Sequence, residues 1–388
     1  MRQQRRVNAT LMSFLLVVLL PAVARAAELQ QQVDSLIEVQ KYARAIHVMA
    51  MLLLGFGFLM VFVRRYGRSA ITATYLLVST AIPLYFLIDD KGVFGAATAS
   101  LMDRLLLAEF AAASLLICAG AVLGRVKMWQ YLVLGLLFVP CYMFNEWVVL
   151  GGGLKMLPEG AFLDTGGSVV IHAFGALFGL GLIFPLTNRG EFDVPIESDE
   201  TSDRFSLLGS MVLWVFWPSF CAALVTPEQL PHTAVNVILA LSGSTLATYF
   251  ATVLFRRKIG PADIANAALA GGVAIGATCA RADFFLGAFI IGILAGALST
   301  FGFAVIQERL QAVLKKTDTC GVLYLHGLPG LMGGIAAMFF MKAAPQQAKG
   351  IIITVVIALV TGLIVGTLLS LTGRRSELYT DSEEFDIG

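Results

Sequence analysis

Charge is scarce in this sequence. Only 14% of its 388 residues are charged, and the 27 basic and 26 acidic side chains nearly cancel to a formal +1. Soluble domains carry about a quarter of their residues as charges, which excludes an ordinary soluble fold. The even balance leaves no basic surface for nucleic acid. Histidine is almost absent, with four residues, and the five cysteines (Cys118, Cys141, Cys221, Cys279, Cys320) sit in or beside apolar runs. There a thiol behaves as a small hydrophobe, so no disulfide framework is implied. The sequence has no glycine loop leading to a phosphate-binding lysine and no His, Cys and carboxylate cluster at metal-ligand spacing. Without a nucleophile, base and orienting group in sight, an enzyme, a metal centre and a bound cofactor are all set aside. Beyond residue 26 no Asn-x-Ser/Thr glycosylation acceptor occurs, which fits a bacterial cytoplasmic membrane.

What the chain has in quantity is apolar length. Hydrophobic residues make up 58% and the mean hydropathy is +0.82. The expected class is therefore an all-α polytopic membrane protein. Residues 1–26 combine Arg2, Arg5 and Arg6, an apolar stretch from Leu11 to Val23 and the triplet Ala24-Arg25-Ala26. That order describes a cleavable signal peptide. After it, runs long enough to cross a hydrocarbon core about 30 Å thick fall near 45–63, 70–88, 105–123, 129–150, 167–186, 205–225, 233–255, 261–279, 284–306, 321–340 and 349–372. Eleven transmembrane helices thus occupy a domain over 27–372, and 373–388 is left as a short acidic cytoplasmic tail, read as a solvated end. With the amino terminus outside, Arg64-Arg65, Arg125 with Lys127, Arg256-Arg257-Lys258, Lys315-Lys316 and Arg374-Arg375 all fall inside, as the positive-inside rule requires. Outer connections such as Asp89-Asp90-Lys91, Thr226 to His232 and Met341 to Ala348 lack such clusters.

Two stretches nearly repeat each other. Asp164-Thr165-Gly166-Gly167 leads to His172, and Asp318-Thr319-Cys320-Gly321 leads to His326, each histidine eight residues after its aspartate. They fall in the fifth and tenth spans. Units of five spans cross the membrane in opposite senses, so the match implies two inverted five-helix repeats plus one extra helix, with matched positions meeting near the midplane. An imidazole inside an apolar bundle is expected to be neutral, with one donor and one acceptor nitrogen. Two such rings can share a hydrogen bond and still serve a small neutral molecule. The competing reading is two separate packing histidines. Asp164 and Asp318 stand where a carboxylate caps a helix start, and the glycine runs read as close helix packing.

With those stretches go Leu213-Trp214-Val215-Phe216-Trp217-Pro218-Ser219-Phe220, Asn266-Ala267-Ala268-Leu269-Ala270-Gly271-Gly272-Val273-Ala274 and Gly327-Leu328-Pro329-Gly330. On these residues the chain resembles the ammonium transporter superfamily, and within it the Rh branch, over essentially the whole mature sequence. The resemblance implies that His172 and His326 line the pore, that Phe110 and Phe220 close its outer gate, and that Asp164 supports the outer substrate site. It implies a homotrimer with one pore per subunit, in contact with the lipid bilayer and passing ammonia or ammonium. Two positions depart from the pattern. Leu150 stands where the transporter branch has a tryptophan, with Trp147 out of register, and Cys221 stands for an asparagine. Losing that ring removes a cation-π contact and favours an Rh-like conductor over a scavenger. Carbon dioxide is a second neutral substrate to consider, and a non-conducting receptor or structural subunit of the same fold is a third reading.

Overall fold

The computed structural model of the chain describes residues 2–340 and 344–386, with side chains from residue 21 onward except at 189 and 190. The expected outer connection Met341 to Ala348 therefore lies partly outside the described residues, as do the first residue of the expected signal and the last two of the tail. Residues 1–43 and 44–388 form two units. The described part of the first is helical and from Glu28 largely exposed, with a Lys41–Glu38 pair at 3.2 Å one turn apart.

Regular structure among the described residues is helical. Nine helices are long and apolar enough to cross a membrane: Pro21–Phe62, Gly67–Asp90, Leu101–Ala121, Met128–Val149, Ser168–Leu186, Glu200–Cys221, Leu230–Arg256, Phe285–Leu314 and Ala344–Ser370. A shorter apolar helix covers Leu323–Met338. The run expected at 261–279 is broken instead of continuous: Pro261–Ala267 stops, and Ala270–Ile275 restarts after two residues. Lipid gives helices no hydrophobic reason to associate, so close backbone contact must supply the attraction. Small residues provide it. A Cβ on Gly292 or Gly296 would meet the carbonyl oxygen of Ala240 or Ser244 on Leu230–Arg256, and one on Gly362 would meet that of Phe178.

The repeated aspartate motif has a structural cause. Gly167 and Gly321, three residues after each aspartate, take φ of 74° and 67°, a left-handed conformation that costs other residues about 1 kcal/mol or more. The turn lets the side chain reach forward onto the free amides of the next helix. Asp164 Oδ2 accepts from the N–H groups of Val169 (2.9 Å) and Val170 (2.7 Å). Asp318 accepts from Val322 (3.0 Å) and Leu323 (2.9 Å), one bond to each oxygen. Each capped segment then begins with a π-helical stretch, Ser168–Ala173 and Leu323–Gly327, holding His172 and His326. The wider turn rotates the backbone and exposes a carbonyl. In the first stretch the Ser114 hydroxyl donates to the Ile171 carbonyl (2.8 Å).

The reading of the tail as a solvated end is corrected. Tyr379 and Asp381 are buried and the Arg375 side chain is fully so. Asp381 accepts from the backbone of Ser69 (2.8 Å) and Arg68 (3.1 Å), capping Gly67–Asp90. Tyr379 receives a hydrogen bond from the Arg125 guanidinium (2.8 Å), and Glu384 accepts from the Met128 amide (2.9 Å) at the start of Met128–Val149. Glu191, between Ser168–Leu186 and Glu200–Cys221, pairs with Arg125 (3.3 Å) and Arg374 (3.2 Å). Tail carboxylates thus accept from helix-start amides that have no partner within their own helix.

Candidate functional site

The two capped π-helical stretches face each other. They bring His172 and His326 together with their Nδ1 atoms 3.2 Å apart, ring centroids 5.3 Å apart and planes within 7°. Both are buried. Two nearly coplanar imidazoles at that distance share one proton between the Nδ1 atoms. In the neutral pair, the ring that donates from Nδ1 keeps a bare Nε2, and the ring that accepts carries N–H at Nε2. The pair therefore offers one acceptor and one donor. His172 Nε2 is buried with no hydrogen-bond partner in the protein.

Flanking rings hold the imidazoles in place. Trp217 stacks on His172 (centroids 5.6 Å, 19°) and Phe56 on His326 (6.1 Å, 28°). Gly272 leaves the space for Trp217, since a Cβ there would strike the indole. Phe220, one turn beyond Trp217, lies 5.8 Å from His172 and 4.8 Å from Phe110 at 55°. The four residues expected to form pore and gate thus sit in one continuous cluster. Asp164 borders it from behind: Oδ2 caps the His172 segment, while Oδ1 is buried without a partner. Asp318 caps the His326 segment in the same way, with both oxygens in use.

A cavity of about 450 Å³ is lined by Tyr85, Asp89, Leu107, Glu146, Trp147, Leu150 and others, Leu107 lying one turn before Phe110. Leu150 presents an aliphatic wall, and Trp147 packs against Phe144 and Phe94, at 6.1 and 6.0 Å. Glu146 accepts a hydrogen bond from the Tyr85 hydroxyl (2.9 Å). His326 lines a second cavity, of about 20 Å³, walled by Phe56, Leu59, Ile117 and Leu325 among others. That is room for about one water molecule.

Sequence reasoning missed three of these residues. Trp217 lies in the aromatic stretch Leu213 to Phe220, where nothing in the sequence sets it apart from its neighbours, and Phe56 is one ring in an apolar run with nothing to mark it. Glu146 did carry a signal, as an ionisable group within a span. No group of three or more His, Cys, Asp and Glu side chains able to hold a metal occurs among the described residues.

Residues 9–387 match the Ammonium Transporter Family. The chain is 37% identical over 316 residues to ammonium transporter Rh type B of Oryctolagus cuniculus, covering 78% of this chain and 66% of that protein. It is 36% identical over 357 residues to ammonium transporter Rh type A of Bos taurus, covering 87% and 80% respectively. The chain thus spans just under two thirds of the rabbit relative's length. Among solved structures, Nitrosomonas europaea Rh50, described as one of the Rhesus protein family of channels, superposes with a TM-score of 0.87 at 54% identity, covering 89% of this chain and 92% of that one.

Proposed function

The chain belongs to the ammonium transporter family, in its Rh branch, and from that premise we propose that it conducts ammonia across a bacterial cytoplasmic membrane. The family is one of membrane transporters and channels, not of enzymes. In this reading ammonium gathers in the cavity beside Glu146, gives up its proton outside, and passes the Phe110 and Phe220 gate as ammonia. Asp164 steadies the outer end of the path. The observation that carries the reading is the shared Nδ1···Nδ1 bond at 3.2 Å in a buried ring cluster, opening on one side to a cavity with room for about one water. An ion in that environment costs several kcal/mol even by lenient scales, whereas a neutral molecule avoids most of it. The imidazole pair can accept a hydrogen bond from ammonia and donate one to it, replacing part of its lost hydration.

The proposed assembly follows the same premise. The nine long helices, Leu323–Met338 and the broken segment 261–278 supply eleven crossings, as two inverted five-span halves and a last helix. The amino terminus is outside after removal of residues 1–26, the tail inside, and three copies associate. The test is internal pH by stopped flow in proteoliposomes after an ammonium gradient. Alkalinisation faster than in empty liposomes, and altered by His172→Ala and Phe220→Ala, is the expected result. Rates equal to empty liposomes with ammonium but raised with carbon dioxide would replace ammonia as the substrate, and no effect with either gas would indicate a non-conducting member.

A further inference from the structure

The stretch from Asn266 to Ala274 holds Gly272, which makes room for Trp217, and it also contains the helix break. Asn266 is the penultimate residue of Pro261–Ala267, and its Nδ2 donates to the Ala262 carbonyl (2.9 Å). Among the described residues nothing donates to its Oδ1. A break in a spanning helix at membrane depth is tolerated where the backbone lines a cavity, and Asn266 lines two. One is the apolar cavity of about 20 Å³ under His326. The other, of about 110 Å³, has Ser198, Asp203, Ser206, Gln307 and Thr319 in its wall beside Phe62, Pro261 and Phe303.

Three residues belong to both walls, and only three: Phe62, Asn266 and Cys320. They come from three separate segments. Phe62 ends the 3₁₀ turn Met60–Phe62. Cys320 lies in the second aspartate turn, where its N–H donates to the Gly120 carbonyl (3.1 Å), and its sulfur is a free, half-buried thiol. All three are half-buried. They therefore stand where the cavity under His326 meets the one that holds Ser198, Asp203 and Gln307, and a molecule leaving His326 for the second cavity passes between a ring, an amide oxygen and a thiol.

We propose that Phe62, Asn266 and Cys320 form a second selecting neck on the His326 side of the path, at which Asn266 Oδ1 accepts a hydrogen bond from the N–H of the passing neutral molecule. The ligand class is a small uncharged molecule with at least one N–H donor. Such a molecule leaves the imidazole pair before it reaches bulk water, and an amide acceptor in the neck shortens the unbonded interval. The neck rests on the conduction reading above and adds residues that the histidine pair does not require.

The test uses full-length protein with Cys141→Ser, because Cys118, Cys221 and Cys279 are buried. Methyl methanethiosulfonate is added in detergent before reconstitution. The Cys320 thiolate attacks the sulfenyl sulfur, forming a methyl disulfide and releasing methanesulfinate. The expected results are label on Cys320 by mass spectrometry, loss of ammonium-driven alkalinisation, recovery with dithiothreitol, and insensitivity of Cys320→Ser. In parallel, Asn266→Leu, which keeps bulk but removes the acceptor, slows conduction about five- to tenfold, the loss of one hydrogen bond. Asn266→Ser, which restores an acceptor oxygen, recovers much of the rate. Full labelling of Cys320 with undiminished conduction overturns the neck while leaving the channel intact, and so do equal losses in Asn266→Leu and Asn266→Ser. A wild type that does not conduct overturns the conduction reading and the neck with it.

Discussion

The two aspartates look equivalent in sequence, yet their bonding predicts unequal losses from the same substitution. Asp164 uses one oxygen for two amides, at 2.9 and 2.7 Å, and leaves Oδ1 without a partner. An asparagine there can place its carbonyl oxygen at Oδ2 and its NH₂ in the unpartnered position, so both caps survive. They weaken from charge-assisted to neutral bonds, a loss of about 1 kcal/mol. Asp318 divides its oxygens, one to Val322 and one to Leu323. Asparagine must then turn its NH₂ toward one backbone N–H, whichever way the amide is rotated. One bond is lost and a buried donor is left opposed to another donor, which costs about 1–3 kcal/mol beyond the neutralisation. Thermal unfolding in detergent, followed by tryptophan fluorescence on matched preparations, should rank wild type above Asp164→Asn and Asp164→Asn clearly above Asp318→Asn. Conduction adds a second axis. If the Asp164 carboxylate supports the outer end of the path, Asp164→Asn loses rate out of proportion to its small loss of stability. Equal melting temperatures for the two variants, or a larger loss at Asp164, would refute the bonding argument.

Other consequences of the structure can be checked separately. Asp381→Ala removes the cap on Gly67–Asp90, at about 1 kcal/mol, and should free the tail. Brief trypsin treatment read by mass spectrometry is expected to cut after Arg375 in the variant but not in the wild type, where that side chain is fully buried; identical cleavage would show that the cap does not hold the tail. Gly296→Val drives a side chain against the Ser244 carbonyl and should lower stability by about 1–3 kcal/mol, whereas an unchanged melting temperature would mean the helices separate at no cost. Protein purified from a bacterial membrane should begin at Ala27 by intact mass and amino-terminal sequencing. A mass that retains residues 1–26 rules out the signal peptide.

What the sequence made legible was local chemistry. The Asp-Thr-x-Gly turn is readable because its requirements lie within a few residues: a glycine that tolerates φ near 70° and a carboxylate that reaches the next amides. Placing a histidine eight residues after each aspartate puts each at the next-to-last residue of its π-helical stretch, so the pairing of the two rings could be anticipated from spacing. The break at Ala268-Leu269 was invisible because neither residue is a glycine or proline. Its support comes from another helix, where the Ser244 hydroxyl donates to the Ala268 carbonyl (2.6 Å). The docked tail was misread for the same reason. Acidic composition suggests solvation, but the partners of its charges include Arg68, Ser69 and Met128, some 250 to 310 residues earlier. The neck is the limiting case. Phe62 ends an apolar run, Asn266 looks like an ordinary helix residue, and Cys320 fills the variable place in the motif. None of the three is informative until the fold brings them to the boundary between two cavities, so a constriction assembled from distant single residues is the part of such a path that sequence pattern reveals last.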